Sequence, residues 1–328
     1  TSTQVSELTA TQVSVLTSSE IGALTSTELR GLSTTQAGAL TAAQVGGLTA
    51  TVLNNLSTTQ VGALTTAQVQ GLTTSQLNSL STANLDALDV TKLSTAQVAG
   101  LSTASIGNLS TTQVSSLTAT EVGKLSAAQI GALTSTELRG LSTTQAGALT
   151  AAQVGGLTST ALNNLSTTQV AALTSVQAQG LTTTQLNALT TANLDAINVV
   201  RLTGNQIAGL TTTAITNLTT TQVQVLNATQ IGGLSAAQIN ALSTTEISTL
   251  TATQVGALTS GQVAGMTTTN FKALTSTTGI PALSVDAIAG LTTSDISALT
   301  TTQGHAFTNE QIYSMSIDQA SALVTLLG

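Results

Sequence analysis

Residues 24–32 read Leu-Thr-Ser-Thr-Glu-Leu-Arg-Gly-Leu, and nearly all of the chain repeats this pattern. Each unit has a Leu, a Thr or Ser, two small residues, a Gln or Glu, an aliphatic residue and two more small residues, and then the next Leu follows. A Thr or Ser three residues before a Gln or Glu is typical of a capping box, in which each side chain accepts a backbone N–H of the other residue. The pattern therefore predicts helix caps at Thr25 with Glu28, and at Thr41 with Gln44.

The apolar positions of the unit also indicate a helix. Leu24 just before the cap and Leu29 just inside it form a hydrophobic staple. Leu29 and Leu32 are three residues apart and share one helix face. The unit therefore predicts a helix of under two turns that is followed at once by the next cap. The expected fold is an all-α repeat solenoid of very short capped helices, one per octapeptide.

The exceptions to the pattern support the caps. The chain has 41 Leu-type anchor positions, and the next residue is Thr or Ser at all but four of them. Three of these four are Asp89, Asn198 and Asn227, which are themselves preferred N-cap residues; the fourth is Val324. A position that accepts Ser, Thr, Asp and Asn requires a short side-chain oxygen, so Asp89 and Asn198 are also predicted caps.

A β-solenoid with two octapeptides per coil is the alternative fold. The content of Thr, Val and Ile favours strands. However, the apolar positions are spaced alternately by five and three residues, so they do not share the parity of a strand face. Leu and Gln also favour helices.

A longer repeat is superimposed on the octapeptides. Five-residue units end at Leu93 and Leu202, 109 residues apart, and residues 24–49 are identical to residues 133–158 at the same offset. This pattern predicts three copies of a 109-residue block, near residues 16–124, 125–233 and 234–328.

The octapeptides become irregular late in the chain. The spacing stretches to nine residues between Leu274 and Leu283, and the chain's single Pro, Pro281, lies in this interval. Because Pro lacks an N–H and restricts its neighbour, we interpret residues 275–283 as a bend. Residues 1–274 are then the regular solenoid, and residues 284–328 are degenerate repeats and an end cap.

Charged and amide side chains cluster around the two short units. A calcium site needs six to eight oxygen ligands, and these groups supply too few. A charge pair that closes the shortened turn, or a contact between subunits, is the favoured interpretation. The residues concerned are Asp86, Asp89 and Lys92 in the first unit, and Asp195, Asn198 and Arg201 in the second.

Composition argues against several classes of function. His305 is the only His and there is no Cys, so we expect no catalytic triad, no metal site, no cofactor and no small-molecule substrate. Lys and Arg total six and the net charge is −7, too few cations for the phosphate contacts that dominate nucleic-acid binding. No apolar run is long enough to predict a membrane span. The chain is not expected to be an enzyme.

Residues 64–72 read Leu-Thr-Thr-Ala-Gln-Val-Gln-Gly-Leu. This run resembles Leu/Thr/Gln-rich octapeptide repeats of large secreted bacterial surface proteins that are adhesin-like or fibre-forming. The resemblance implies an extracellular or cell-surface location and a structural role, and it brings no catalytic residues with it.

The hypothesis that follows is a structural protein that self-associates into an extracellular fibre, sheath or surface layer. Its expected partner is therefore another copy of itself. A monomeric adhesin stalk or spacer is one alternative. An ice-binding protein with a Thr-rich face is another, because Thr recurs at the cap and often at the next two positions.

Overall fold

The computed structural model describes residues 2–328, in which it forms 38 α-helices and three 3-10 helices. No strand occurs in that range. The prediction of an all-α repeat fold with one short helix per octapeptide is therefore confirmed, and the β-solenoid alternative is wrong.

Contacts group the chain into two units, Thr1–Leu165 and Ser166–Gly328, here called unit 1 and unit 2. The repeat pattern does not mark this boundary. Unit 1 contains α1 (Ser2–Ser6), α2 (Ala10–Val15), α3 (Ser18–Gly22), α4 (Ser26–Gly31), α5 (Thr34–Gly38), α6 (Ala42–Gly46), α7 (Ala50–Asn55), α8 (Thr58–Gly62), α9 (Thr66–Gly71), α10 (Thr74–Asn78), α11 (Thr82–Ala87), η1 (Val90–Lys92), α12 (Thr95–Ala99), α13 (Thr103–Gly107), α14 (Thr111–Ser116), α15 (Ala119–Lys124), α16 (Ala127–Gly131), α17 (Ser135–Gly140), α18 (Thr143–Gly147), α19 (Ala151–Gly156) and α20 (Ser159–Asn163).

Unit 2 continues the same succession of short helices and ends in the longest one. It contains α21 (Thr167–Ala171), α22 (Ser175–Gly180), α23 (Thr183–Asn187), α24 (Thr191–Ala196), η2 (Val199–Arg201), α25 (Gly204–Ala208), α26 (Thr212–Thr216), α27 (Thr220–Gln224), α28 (Ala228–Gly232), α29 (Ala236–Ala241), α30 (Thr244–Ser248), α31 (Ala252–Gly256), α32 (Ser260–Gly265), α33 (Thr268–Lys272), η3 (Ile280–Ala282), α34 (Val285–Ile288), α35 (Thr293–Ser297), α36 (Thr301–Gly304), α37 (Asn309–Ser314) and α38 (Ile317–Leu327).

Helix α4 shows why each helix is short. Its cap, Thr25, has the extended backbone of an N-cap, with φ −64° and ψ 160°. The N–H of Leu32 bonds to the carbonyl of Leu29 at 3.3 Å, a three-residue closure that tightens the last turn. Ser33 then caps the next helix. Gly328, which follows α38, is the only residue in the described range with a positive φ, so the other helices end without the left-handed residue common at helix C-termini.

The core consists of the aliphatic and anchor positions of each octapeptide. In unit 1, Leu29 is fully buried and Leu32 is 4% exposed; in unit 2, Ile231 and Leu234 are buried in the same way. Burial of these side chains is the main favourable free energy of the fold.

Within each unit, a helix packs against the third helix along the chain, as α2 does on α5, α5 on α8, and α27 on α30. Small residues allow this stacking. A Cβ added to Gly46 would lie 2.5 Å from the carbonyl oxygen of Gly71, which is closer than atoms approach. The spacing of the coils in this part of unit 1 therefore requires Gly at position 46.

The irregular stretches keep their place in the stack. The five-residue units form η1 and η2, which are 3-10 helices because three residues cannot close an α-turn. In residues 275–283, the carbonyl of Thr275 accepts the N–H of Ile280 at 2.8 Å, and η3 follows with Pro281 in its first turn. Ile280 and Leu283 are buried and fill the aliphatic and anchor positions.

Candidate functional site

The four cap residues predicted in α4 and α6 form two capping boxes. Thr25 N–H donates to Glu28 Oε2 at 2.9 Å, and Glu28 N–H donates to Thr25 Oγ1 at 3.3 Å. Thr41 and Gln44 exchange the same two bonds at 2.5 and 3.1 Å. Each box satisfies two of the N–H groups that a helix N-terminus leaves free.

A carboxylate in the box gains more than an amide does, because its charge strengthens the bonds it accepts. The pKa of Glu28 is lowered by the N–H of Thr25 and then by the Thr25 hydroxyl. The pKa of Glu20 in α3 is lowered by the N–H and then the hydroxyl of Thr17.

Glutamine makes a second set of bonds that the sequence analysis missed. Gln60 Oε1 completes the capping box of α8, and its Nε2 donates at 2.7 Å to the carbonyls of both Leu29 and Leu32. These carbonyls lie at the C-terminal end of α4, four helices earlier. One side chain therefore begins its own helix and satisfies the end of another. We call the Nε2 donation an amide link.

Amide links run through both units. The signal in the sequence was the preference for Gln over Glu at this position, since either residue completes a capping box but only Gln carries N–H donors. Besides Gln60, the anchor carbonyl four helices earlier accepts from Gln36, Gln44, Gln68, Gln76, Gln97, Gln113, Gln129, Gln145 and Gln153 in unit 1, and from Gln206, Gln222, Gln230, Gln238, Gln254, Gln262, Gln303, Gln311 and Gln319 in unit 2.

The cations of the short units replace the missing glutamine. Lys92 Nζ donates to the carbonyl of Leu64 at 2.7 Å, and Arg201 Nη1 donates to the carbonyl of Leu173. Both acceptors are anchor residues four helices earlier. Lys92 Nζ also lies 3.6 Å from Asp89 Oδ2 within the same short unit. The sequence analysis did not foresee the bonds to the main chain.

Asp89 and Asn198 cap η1 and η2. Asp89 Oδ1 accepts the N–H of Thr91 at 3.1 Å and its hydroxyl at 2.6 Å, and Asn198 Oδ1 accepts the N–H of Val200 at 3.2 Å. The pKa of Asp89 is lowered chiefly by the Thr91 hydroxyl, and further by the Thr91 N–H and Lys92. Because Asn198 replaces Asp89, the second short unit lacks the corresponding carboxylate.

Asp86 and Asp195 contribute their backbone to these contacts. Their side chains are exposed. The carbonyl of Asp86 accepts from Gln113 Nε2 at 3.3 Å, and that of Asp195 accepts from Gln222 Nε2 at 3.4 Å. The structure therefore places both predicted residues beside an amide link, whereas the ion pair of the first short unit uses Asp89.

Where Asn stands in place of Gln, two asparagines share the work: one accepts the cap N–H, and the other donates to the carbonyls four helices earlier. Asn84 in α11 is too short to complete a capping box, but its Nδ2 lies 3.4 Å from the carbonyls of Leu53 and Leu56. The cap N–H of Ser81, which the Asn84 side chain does not reach, donates instead to Asn54 Oδ1 at 2.7 Å.

Unit 2 repeats this division of roles. Asn270 Nδ2 lies 3.3 Å from the carbonyls of Ile239 and Leu242, and the cap N–H of Thr267 donates to Asn240 Oδ1 at 2.8 Å.

Groups typical of catalysis are sparse in residues 2–328. No set of three or more His, Cys, Asp or Glu residues there could hold a metal ion. His305 is exposed, and its Nδ1 lies 2.8 Å from the carbonyl of Thr301. Two surface hollows in this range measure about 440 and 380 Å³, and Asp318 is the one ionisable residue that lines them. Across these residues, no helix has both the length and the apolar character to cross a membrane.

The exposed surface of unit 2 carries a regular array of hydroxyls. Helices α27, α30 and α33 stack in succession, and each has Thr at its first two positions. The cap hydroxyls of α27 and α30 are engaged in their own capping boxes, whereas the second Thr of each of the three helices is exposed. We call these three exposed second positions, Thr221, Thr245 and Thr269, the hydroxyl band. Of the first positions, Thr220 and Thr268 are half-buried, and the Thr268 hydroxyl donates to Asp295 Oδ1 at 3.0 Å.

The repeat unit itself is found in other proteins. Four segments match the ALTTAQ repeat. They are residues 18–50, 46–74, 122–159 and 236–268, and together they cover less than half of the chain. Two of the segments contain the identical stretches 24–49 and 133–158. No curated protein matches the chain.

Proposed function

We propose that this ALTTAQ-repeat chain is a structural subunit that self-associates into an extracellular fibre, sheath or surface layer. The observation that carries the proposal is the hydroxyl band on the stacked helices of unit 2. The band presents identical, uncharged hydrogen-bonding groups at a fixed interval on α27, α30 and α33.

Electrostatics and repetition both favour association through such a face. Charged residues are 6% of the chain, so little electrostatic repulsion keeps copies apart. One weak contact between hydroxyls recurs on every stacked helix, and multivalency converts repeated weak contacts into stable binding. The extracellular location rests on the likeness of residues 64–72 to octapeptide repeats of bacterial surface proteins. The proposed role is mechanical and includes no chemical reaction.

Sedimentation velocity over a wide range of protein concentration, with electron microscopy of the same samples, tests the proposal. We expect large species whose fraction grows with concentration. Persistent monomer without filaments would overturn self-association and support the stalk or spacer.

Two triple variants locate the contact. Three Lys residues replacing Thr221, Thr245 and Thr269 place like charges along the band, so assembly should be lost. The control carries the same three charges at exposed Thr residues of other helices in unit 2, and it should still assemble. If both variants fail equally, net charge rather than the band controls association. The control positions are Thr213, Thr229 and Thr253.

The hydroxyl band also favours a second candidate, the ordering of water in ice binding. A regular array of Thr hydroxyls and methyl groups on a rigid, nearly uncharged scaffold is the kind of surface that ice binding requires. Thermal hysteresis at high protein concentration is the expected result, and the Thr221, Thr245 and Thr269 variant should abolish it. Absence of hysteresis in the unmodified protein would remove this candidate.

A further inference from the structure

Exposed apolar side chains are concentrated in one short stretch of unit 2. Nine large apolar side chains are exposed in residues 2–328, and four of them lie within residues 312–324. These four are Ile312, Tyr313, Ile317 and Val324. Single exposed apolar residues are normal on a protein surface, whereas a concentration of them marks an interaction site.

Helix α38, which holds two of the four, has one buried face and one exposed apolar face. It packs on α35 and α36, and its residues Gln319 and Leu323 are buried. Ile317 and Val324 are 89% and 69% exposed. They are seven residues apart, and exposed Ser321 lies between them, so the three residues share one side of the helix. We call Ile317, Ser321 and Val324 the outer stripe.

The outer stripe is complementary to a copy of itself that runs in the opposite direction. In an antiparallel pair of such helices, Ile317 of each helix lies against Val324 of the other, so both apolar side chains are covered. Ser321 then lies near the middle of the pair. Its small side chain allows the two helix axes to approach closely.

The length of α38 indicates which helix covers the outer stripe. Helix α38 has 11 residues and is about 16 Å long, whereas every other helix in residues 2–328 has six residues or fewer. A helix of six residues is about 9 Å long and leaves one end of the stripe exposed. Helix α38 of a second copy covers the stripe over its full length.

Charge favours the antiparallel direction. Asp318 is exposed in the first turn of α38, beside Ile317 of the outer stripe. A parallel pair sets the two carboxylates side by side, where they repel each other. An antiparallel pair places them toward opposite ends, where salt screens their repulsion.

We propose that α38 binds α38 of a second copy through the outer stripe, as an antiparallel pair. The pairing rests on the self-association proposed above, and it supplies a contact separate from the hydroxyl band. A two-fold contact by itself joins only two copies. With two different contacts, each copy binds one neighbour through the band and another through α38, and assembly continues into a fibre.

Single cysteines test the geometry of the pair, because the chain has no Cys of its own. Ser321→Cys brings two thiols within the roughly 4–7 Å Cα separation that a disulfide requires, so mild oxidation should give disulfide-linked dimers. Thr325→Cys is the matched control on the same helix. Antiparallel pairing separates its two thiols by about 13 Å along the helix axis, so few dimers should form. Equal cross-linking of both variants, or no cross-linking of Ser321→Cys, would overturn the proposal.

Like charges on the outer stripe test its contribution to assembly. Ile317→Glu combined with Val324→Glu should raise the protein concentration needed for fibres at least about tenfold. Both positions are exposed, so the variant should fold, and circular dichroism checks this. Ser294→Glu combined with Thr302→Glu adds the same charge at exposed positions of α35 and α36 and should assemble like the unmodified protein. If the stripe variant assembles as readily as this control, α38 does not pair.

Sedimentation velocity separates failure of the α38 contact from failure of the proposed function. The band variant, with Lys at Thr221, Thr245 and Thr269, should lose the fibre and still form dimers through α38. Adding Ile317→Glu and Val324→Glu should reduce these dimers to monomers. If the band variant is monomeric while the unmodified protein forms fibres, the pairing is wrong and self-association stands. If the unmodified protein stops at dimers that the stripe variant abolishes, the pairing stands and the fibre is wrong.

Discussion

Two adjoining stretches of unit 1 use different side chains to satisfy the backbone groups at the ends of their short helices. In residues 57–80, each helix has a glutamine such as Gln60, which accepts its own cap N–H and donates to carbonyls four helices earlier. In residues 81–93, no residue does both. Helix α11 divides the two bonds between Asn54 and Asn84, and η1 divides capping and donation between Asp89 and Lys92.

The comparison shows that the bonds are retained while the residues vary. A helix of five or six residues leaves more of its backbone groups unsatisfied than it makes internal hydrogen bonds, because four N–H groups and four carbonyls at its ends have no partner within the helix. Such helices are stable only when side chains satisfy both ends. Glutamine is the common solution because one amide carries both an acceptor and donors.

The largest effect is expected for Gln60→Ala. The substitution removes the acceptor of the Ser57 N–H and both donors to buried carbonyls, and should reduce the free energy of unfolding of unit 1 by about 3 kcal/mol. Gln12→Ala is the matched control, because exposed Gln12 completes a capping box and makes no amide link within the described residues; it should cost about 1 kcal/mol. Urea denaturation measures both, and equal losses would show that amide links do not stabilise the fold.

A smaller effect is expected for Lys92→Met, which removes the single donor to the Leu64 carbonyl. The partly exposed ion pair with Asp89 adds little, so the loss should be about 1–2 kcal/mol. Lys92→Arg should cost under about 0.5 kcal/mol, because Arg201 makes the equivalent bond in unit 2. Urea denaturation measures both variants. If Lys92→Met and Lys92→Arg have the same free energy of unfolding, Lys92 does not stabilise the fold by donating to the Leu64 carbonyl.

Asn54→Ala should cost about 1 kcal/mol, because it leaves the Ser81 N–H without its acceptor and removes the bond that Asn54 Nδ2 donates to the Ser79 carbonyl. A double-mutant cycle sharpens this prediction. Asn84→Gln gives α11 a side chain long enough for its own capping box, so Asn54→Ala should cost less in that background. If the effects of the two substitutions are additive, the side chain at position 84 does not replace Asn54 as the acceptor of the Ser81 N–H.

The smallest effect is expected from pH on α3 and α4. The folded-state pKa values of Glu20 and Glu28 are lowered by their capping bonds. Their contribution to stability is therefore present above the ordinary pKa of Glu and is lost as the pH falls through the lowered values. Backbone amide exchange should accelerate in acid at Thr17 and Thr25, relative to the intrinsic rates, and not at Ser33 and Thr41, whose boxes contain Gln.

Local chemistry made the helices predictable. Thr25 and Glu28 are three residues apart, and Leu29 follows directly, so the cap, the box and the buried face all lie within one octapeptide. The same reasoning identified Asp89 and Asn198, because the cap requires only a short side-chain oxygen.

The links between helices were not predictable from the octapeptide. Gln60 reaches Leu32 only because a helix becomes the neighbour of the third and fourth helices before it in the chain. How many helices separate two neighbours depends on how the helices pack, and no single octapeptide determines it. The preference for Gln over Glu indicated a donor role, but not which carbonyls would accept. For the same reason, Lys92 was predicted only as part of a charge pair that closes the turn or contacts another subunit, and its bond to the Leu64 carbonyl was missed.

The direction of the amide links has a consequence for biosynthesis. Each link joins a glutamine to carbonyls about 25 to 31 residues nearer the N-terminus, as Gln97 and Gln254 illustrate. Translation therefore always delivers the donor after its acceptors, and no link waits for a distant part of the chain. Contacts of such short sequence separation favour rapid folding, and domains generally fold from the N-terminus as they are made. The nascent chain can thus coil up as it leaves the ribosome, each new octapeptide completing the helix four places behind it.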